Sequence, residues 1–90
     1  MVERTEDRLK RLTMRSWRRG TKEMDLVLGP YADARLAGMS AGDLQLYDAL
    51  LAENDQDLAL WVIGGGPAPL HYSQMIGEIS AFARGRLRTP

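Results

Sequence analysis

Apolar residues in this chain recur at intervals of three and four, run after run, and no stretch of useful length alternates apolar with polar. That period lines side chains along one stripe of an α-helix, whereas a strand needs a period of two. A chain patterned this way folds as packed helices. Residues 3–18 are charge-rich, with Leu9, Leu12 and Ser16 at helical spacing, which predicts a first helix with a narrow apolar stripe, ended by Gly20. Met24, Val27, Leu28 and Tyr31 stand at i, i+3, i+4 and i+7 and predict a second. Gly29-Pro30 falls inside it. Proline there lacks an amide donor and crowds the carbonyl of Leu26, so a kink or a restart is expected.

Ser40-Ala41-Gly42-Asp43 has the form of an N-cap with an acid three positions on, opening a third helix that turns Leu44, Tyr47, Leu50 and Leu51 inward. Asn54 or Asp55 caps a fourth, whose Leu58, Trp61 and Val62 share a face. It stops at Gly64-Gly65-Gly66-Pro67, a hinge or turn. Tyr72, Met75, Ile76, Ile79, Phe82 and Ala83 form the stripe of a fifth helix, which Gly85 ends before a basic tail of Arg86 and Arg88. The expected fold is all-α, a compact bundle of five short helices. Ninety residues leave no room for a second domain, so one domain spans 1–90, with its core over about 8–84 between a flexible N-terminal tip and a flexible tail.

Several kinds of chemistry are disfavoured by what the chain lacks. Without cysteine there is no disulfide, no thiol nucleophile and no thiolate metal site. The single histidine, His71, stands alone and reads as an exposed or helix-terminal side chain, so no metal site is expected. Asp55 and Asp57 lie two apart and point to different sides, which suits first-turn charges on a helix dipole better than an acid/base pair. The glycine run follows a helix and enters proline, unlike the strand-following G-x-G-x-x-G of dinucleotide sites. Trp61 and Met75 sit on apolar stripes and read as core. No apolar run approaches the roughly 18 residues of a membrane span. The segment Met1-Val2-Glu3-Arg4-Thr5-Glu6-Asp7 lacks the apolar stretch of a secretory signal and carries acids that transit peptides avoid, so a cytoplasmic protein is the expectation.

A net charge of zero hides a division. Residues 1–22 carry eight Lys/Arg against three acids, and residues 23–90 carry four Arg against nine acids, leaving +5 and −5. Such polarity orients a partner during encounter. A basic first helix can also neutralise phosphates, so an antitoxin-like or nucleic-acid-binding regulator is the alternative reading. The acidic remainder and the single nearby aromatic, Trp17, fit that reading poorly, and no nucleic-acid partner is expected.

Trp17-Arg18-Arg19-Gly20-Thr21-Lys22-Glu23 concentrates an aromatic, cations, a glycine and an acid at a helix junction. Gly20 suits a cap or a left-handed turn, and Glu23 can reach back to free amides, a purely structural role. Exposed beside glycine's bare backbone, Arg19 and Glu23 would instead present a donor fork and an acceptor to another protein.

These residues resemble the succinate dehydrogenase assembly factor 2 family, whose signature is R-G-x-x-E. It stands here as Arg19-Gly20-Thr21-Lys22-Glu23, continued by Met24-Asp25-Leu26 in keeping with the family's E-[LM]-D. A second block, Leu50-Leu51, Glu53, Asp55, Asp57-Leu58, Trp61 and a following glycine, is similar to the family's L-L-E-x-x-D-x-D-L-x-x-W-x-x-G. The first acid lies one place late, at Glu53, a departure confined to the end of the third helix. The likeness covers about residues 8–83. It implies a five-helix bundle that is not an enzyme: an assembly factor that binds the flavoprotein subunit of succinate dehydrogenase while FAD becomes attached to that subunit's own histidine. The fumarate reductase flavoprotein is a further candidate client. By the same resemblance Arg19, Gly20 and Glu23 lie at the interface; Asp25 is a weaker candidate for it, and Trp17 and Arg18 are additional ones. No catalytic residue and no stably bound cofactor is expected in the chain itself.

Overall fold

The computed structural model describes residues 3–88, with the side chains of 86–88 left aside. Five helices follow one another: α1 (Thr5–Trp17), α2 (Lys22–Arg35), α3 (Ala41–Leu51), α4 (Asp55–Val62) and α5 (Ser73–Arg88). Single turns of 3-10 helix at Leu36–Gly38 and Leu70–Tyr72 lead into α3 and α5. There is no strand among the described residues, and the all-α expectation holds. The radius of gyration is 12.6 Å, close to the roughly 12 Å of a compact chain this long.

The caps follow from local sequence. Ser40 Oγ accepts from the Asp43 amide at 3.1 Å, as its spacing predicts. Of the two residues able to open α4, Asn54 does so, its Oδ1 accepting from the Gln56 amide at 2.7 Å. The glycine run turns the chain out of α4, with Gly65 at φ +74°. Two helices outrun their expected limits. α2 passes through Gly29-Pro30 without restarting, and α5 continues beyond Gly85 to Arg88. Of the tip and tail expected to be flexible, 1–7 and 85–90, only Met1, Val2, Thr89 and Pro90 lie outside the described residues; Thr5, Glu6 and Asp7 belong to α1, and residues 85–88 to α5.

α2 survives its proline because α1 lies against it there. Gly29 and Pro30 are both buried, and the Trp17 indole lies so close to Gly29 that a Cβ would stand 2.3 Å from it. The indole N–H then donates to the Asp33 carboxylate at 3.2 Å. Tertiary contact thus offsets the hydrogen bond that Pro30 cannot make, which is how most protein helices are held.

The core gathers Leu12, Leu28, Tyr31, Tyr47, Leu50 and Ile79, each at most 2% exposed. Tyr31 joins three helices: its ring lies 5.9 Å from that of Tyr47 and 5.7 Å, edge-on, from that of Phe82. Tyr47 satisfies its buried hydroxyl against Ser16 Oγ at 2.6 Å, and Ser16 also bonds the Leu12 carbonyl at 2.7 Å. Ser16, placed on the apolar stripe by its spacing, is therefore a polar link between α1 and α3. Outside the core the same helices are tied by charge. Asp48 accepts from Arg11 at 2.8 Å and Arg15 at 2.7 Å, and Arg11 also holds Glu3 at 2.9 Å. The Arg11 hydrogen bond is the main cause that keeps the Asp48 carboxyl below its usual range.

Burial pushes the Tyr31 and Tyr47 phenols up to about 12 from an ordinary 10.0. Both are raised in the folded state, so their contribution is intact below the unfolded value and is lost as pH climbs through the folded one. Stability should therefore fall steeply between about pH 10 and 12, and Tyr47→Phe should flatten the decline; urea unfolding at stepped alkaline pH checks both.

Candidate functional site

The turn from α1 to α2 is built by its own residues. Arg18 leaves the helix with φ −129° and ψ 48°, its amide reaching the Arg15 carbonyl at 3.3 Å. Gly20 follows at φ +101°, a region L side chains disfavour. Asp25, in the first turn of α2, accepts the Arg19 amide on Oδ1 at 2.6 Å and closes the turn. The reach-back role considered for Glu23 thus belongs to Asp25. Glu23 is exposed and its carboxylate forms no hydrogen bond or ion pair with any described residue. Thr21 leaves its buried hydroxyl without a hydrogen-bond partner.

Arg19 departs most from expectation, because the outward donor fork does not exist. Its side chain is 11% exposed and points into the elbow between α3 and α4. Nε donates to Asp55 Oδ1 at 3.0 Å, Nη1 to the Leu51 carbonyl and Nη2 to the Glu53 carbonyl at 2.9 Å, and Nη2 stands 2.8 Å from Asp55 Oδ1 as an ion pair. Contacts to a charged group contribute about 1.5–3 kcal/mol each, so three at the low end leave an outward rotamer populated on the order of one part in a thousand. Sequence reading missed this pairing across 36 positions. Its one signal was that the block holding Arg19 and the block holding Asp55 occur together.

With Arg19 turned inward, the surface of the turn is Arg18, Gly20, Lys22 and Glu23, all exposed. Beside it runs an open groove between the start of α2 and α4, lined by Thr21, Glu23, Met24, Asp55, Gln56, Ala59, Leu60, Ile63 and Gly64. Its outer wall is apolar: Leu60 and Ile63 stand 52% and 57% exposed. Exposed leucine and isoleucine together, rimmed by polar side chains, mark an interaction site more often than chance exposure. Trp17, the aromatic candidate at the end of α1, packs its indole on α2 and does not line this groove.

No group of three or more His, Asp or Glu that could hold a metal occurs among the described residues. His71 stacks on Tyr72 with ring centres 3.9 Å apart, away from the groove lining. Of the eight cations in residues 1–22, Arg8, Arg11, Arg15 and Arg19 pair with carboxylates. That removes much of the bare basic stripe on which a nucleic-acid reading rests. No described helix is long and apolar enough to cross a membrane.

Residues 10–83 match the model of the family described as flavinator of succinate dehydrogenase. This chain belongs to that family. Among its relatives is the mitochondrial succinate dehydrogenase assembly factor 2 of Aspergillus terreus, 44% identical over 57 residues, which is 63% of this chain and 19% of that protein. The proteins of the same name from Schizosaccharomyces pombe and Candida glabrata are 35% identical over 80 residues and 40% identical over 81. Those two alignments take in 87% and 84% of this chain, and 58% and 53% of the relatives. The chain thus spans between about a fifth and three fifths of the length of these relatives.

The relatives overturn the cytoplasmic expectation, since each is named a mitochondrial protein. That expectation rested on the first seven residues, which lie outside the matched span. Both motif blocks of the flavinator family fall inside it.

Gly20 separates local strain from surface chemistry. A Cβ there would meet nothing within 4 Å, so only the positive φ resists substitution. Gly20→Ala and Gly20→Arg should each destabilise the chain by a similar amount, about 1–2 kcal/mol. Thermal and urea unfolding of the two variants checks this.

Proposed function

We propose that this chain is an assembly factor that binds the flavoprotein subunit of succinate dehydrogenase and promotes covalent attachment of FAD to it. The observation that carries the proposal is the placement of the family's motif. Its glutamate lines an apolar groove and its glycine lies exposed in the adjoining turn, while its arginine is spent inside the fold. A glycine with open space around it lets a partner's backbone approach closely, the free Glu23 carboxylate accepts hydrogen bonds, and Leu60 and Ile63 give up apolar surface on contact.

The chain supplies no reacting group to the bond. A flavoprotein histidine and the flavin are the reacting pair, and FAD stays with the partner throughout. The factor works by differential affinity: it binds more tightly to the flavoprotein conformer in which histidine and flavin are aligned, and raises that conformer's population in proportion. An affinity ratio of about a hundred between conformers, or about 2.7 kcal/mol, turns a rare geometry into a common one.

Mixing the chain with apo-flavoprotein subunit and FAD, then following protein-bound flavin fluorescence on denaturing gels, tests this. The wild-type chain should accelerate attachment. Gly20→Ala should retain most of the effect, whereas Gly20→Arg and Glu23→Ala should slow attachment by roughly tenfold or more with helical circular dichroism preserved. Acceleration by Gly20→Arg equal to wild type would place the docking surface elsewhere, and no acceleration by the wild-type chain would refute the function.

A further inference from the structure

Arg19 occupies the family's motif but not its surface. Its guanidinium reaches the last residue of α3, Leu51, the linker residue Glu53 and the first residue of α4, Asp55. The first two contacts are to backbone carbonyls at the negative end of α3, and the third is to a carboxylate at the positive end of α4. One planar fork thereby fixes the angle of the α3–α4 elbow. Meanwhile the backbone amide of Arg19 is tied to Asp25 in the first turn of α2. The path Asp25–Arg19–Asp55 therefore joins the first turns of α2 and α4, which are the two walls of the groove.

We propose that Arg19 is a positioning residue. It sets the distance between the Gly20–Glu23 edge and the apolar wall of Leu60 and Ile63, and does not itself contact the partner. The proposal rests on the docking reading above and assigns the motif's arginine a different role from its glycine and glutamate. Lysine cannot replace it, because a point charge on a flexible stem cannot meet acceptors at Leu51, Glu53 and Asp55 together.

Arg19→Lys and Asp55→Asn, singly and combined in the full chain, give two independent readouts. In the free protein, amide exchange at Ala52, Glu53 and Gln56 should quicken by about tenfold in each variant, with protection at Leu28 and Ile79 unchanged. Affinity for the flavoprotein subunit should fall by about tenfold in each single variant and little further in the double, as coupled positions require. Unchanged elbow exchange would overturn the proposal. So would losses that multiply in the double variant, since Arg19 and Asp55 would then act separately, Arg19 on the partner itself. Failure of the wild-type chain to bind the flavoprotein would defeat the docking reading alone, and the exchange measurement would still decide the role of Arg19.

Discussion

The Arg19 guanidinium is the contact on which the arrangement of this bundle's working end depends. α3 and α4 are separated by three residues, Ala52, Glu53 and Asn54, and a linker so short still permits a range of interhelical angles. A cation from a distant turn, bonded to Leu51, Glu53 and Asp55, selects one of them. Because Asp25 holds the backbone of that same turn, α2 and α4 are brought into a common frame. The core could be packed by many apolar sets of similar volume. The groove depends on this one polar junction.

From that junction the division of labour follows. Groups that would be expensive to leave unpaired, the Arg19 guanidinium and the Tyr47 hydroxyl, are satisfied within the fold. Groups that face outward near the turn, Glu23, Leu60 and Ile63, have no such engagement and are free to be covered by another protein. The surface is open and apolar, which suits it to being covered by a partner. Under the docking proposed above, such a surface lets binding energy be spent on the geometry of the partner's own reacting groups.

What could be read in advance was local. The helix stripes, the Ser40 cap and the choice of Asn54 or Asp55 at α4 depend on neighbours within four positions, and they appear as read. Errors arose where a distant contact outweighed a local signal. Pro30 does not make α2 restart, because Trp17 and α1 cover it. Gly85 does not end α5, since glycine in a helix costs only about 1 kcal/mol and the stripe before it is already anchored in the core. At the motif, two acids in the first turn of α2 were both able to close the preceding turn, and periodicity alone could not choose Asp25 over Glu23. The direction of the Arg19 side chain was invisible for the same reason: its acceptors lie more than thirty positions away.

The most direct test of the account is a footprint of the complex: hydrogen–deuterium exchange of the chain, free and bound to the flavoprotein subunit of succinate dehydrogenase. Binding through the turn and groove predicts new protection over residues 20–26 and 56–64, with the outer face of α1 around Lys10 and Met14 little changed. Protection confined to that outer face, with the groove exchanging as in the free chain, would contradict it.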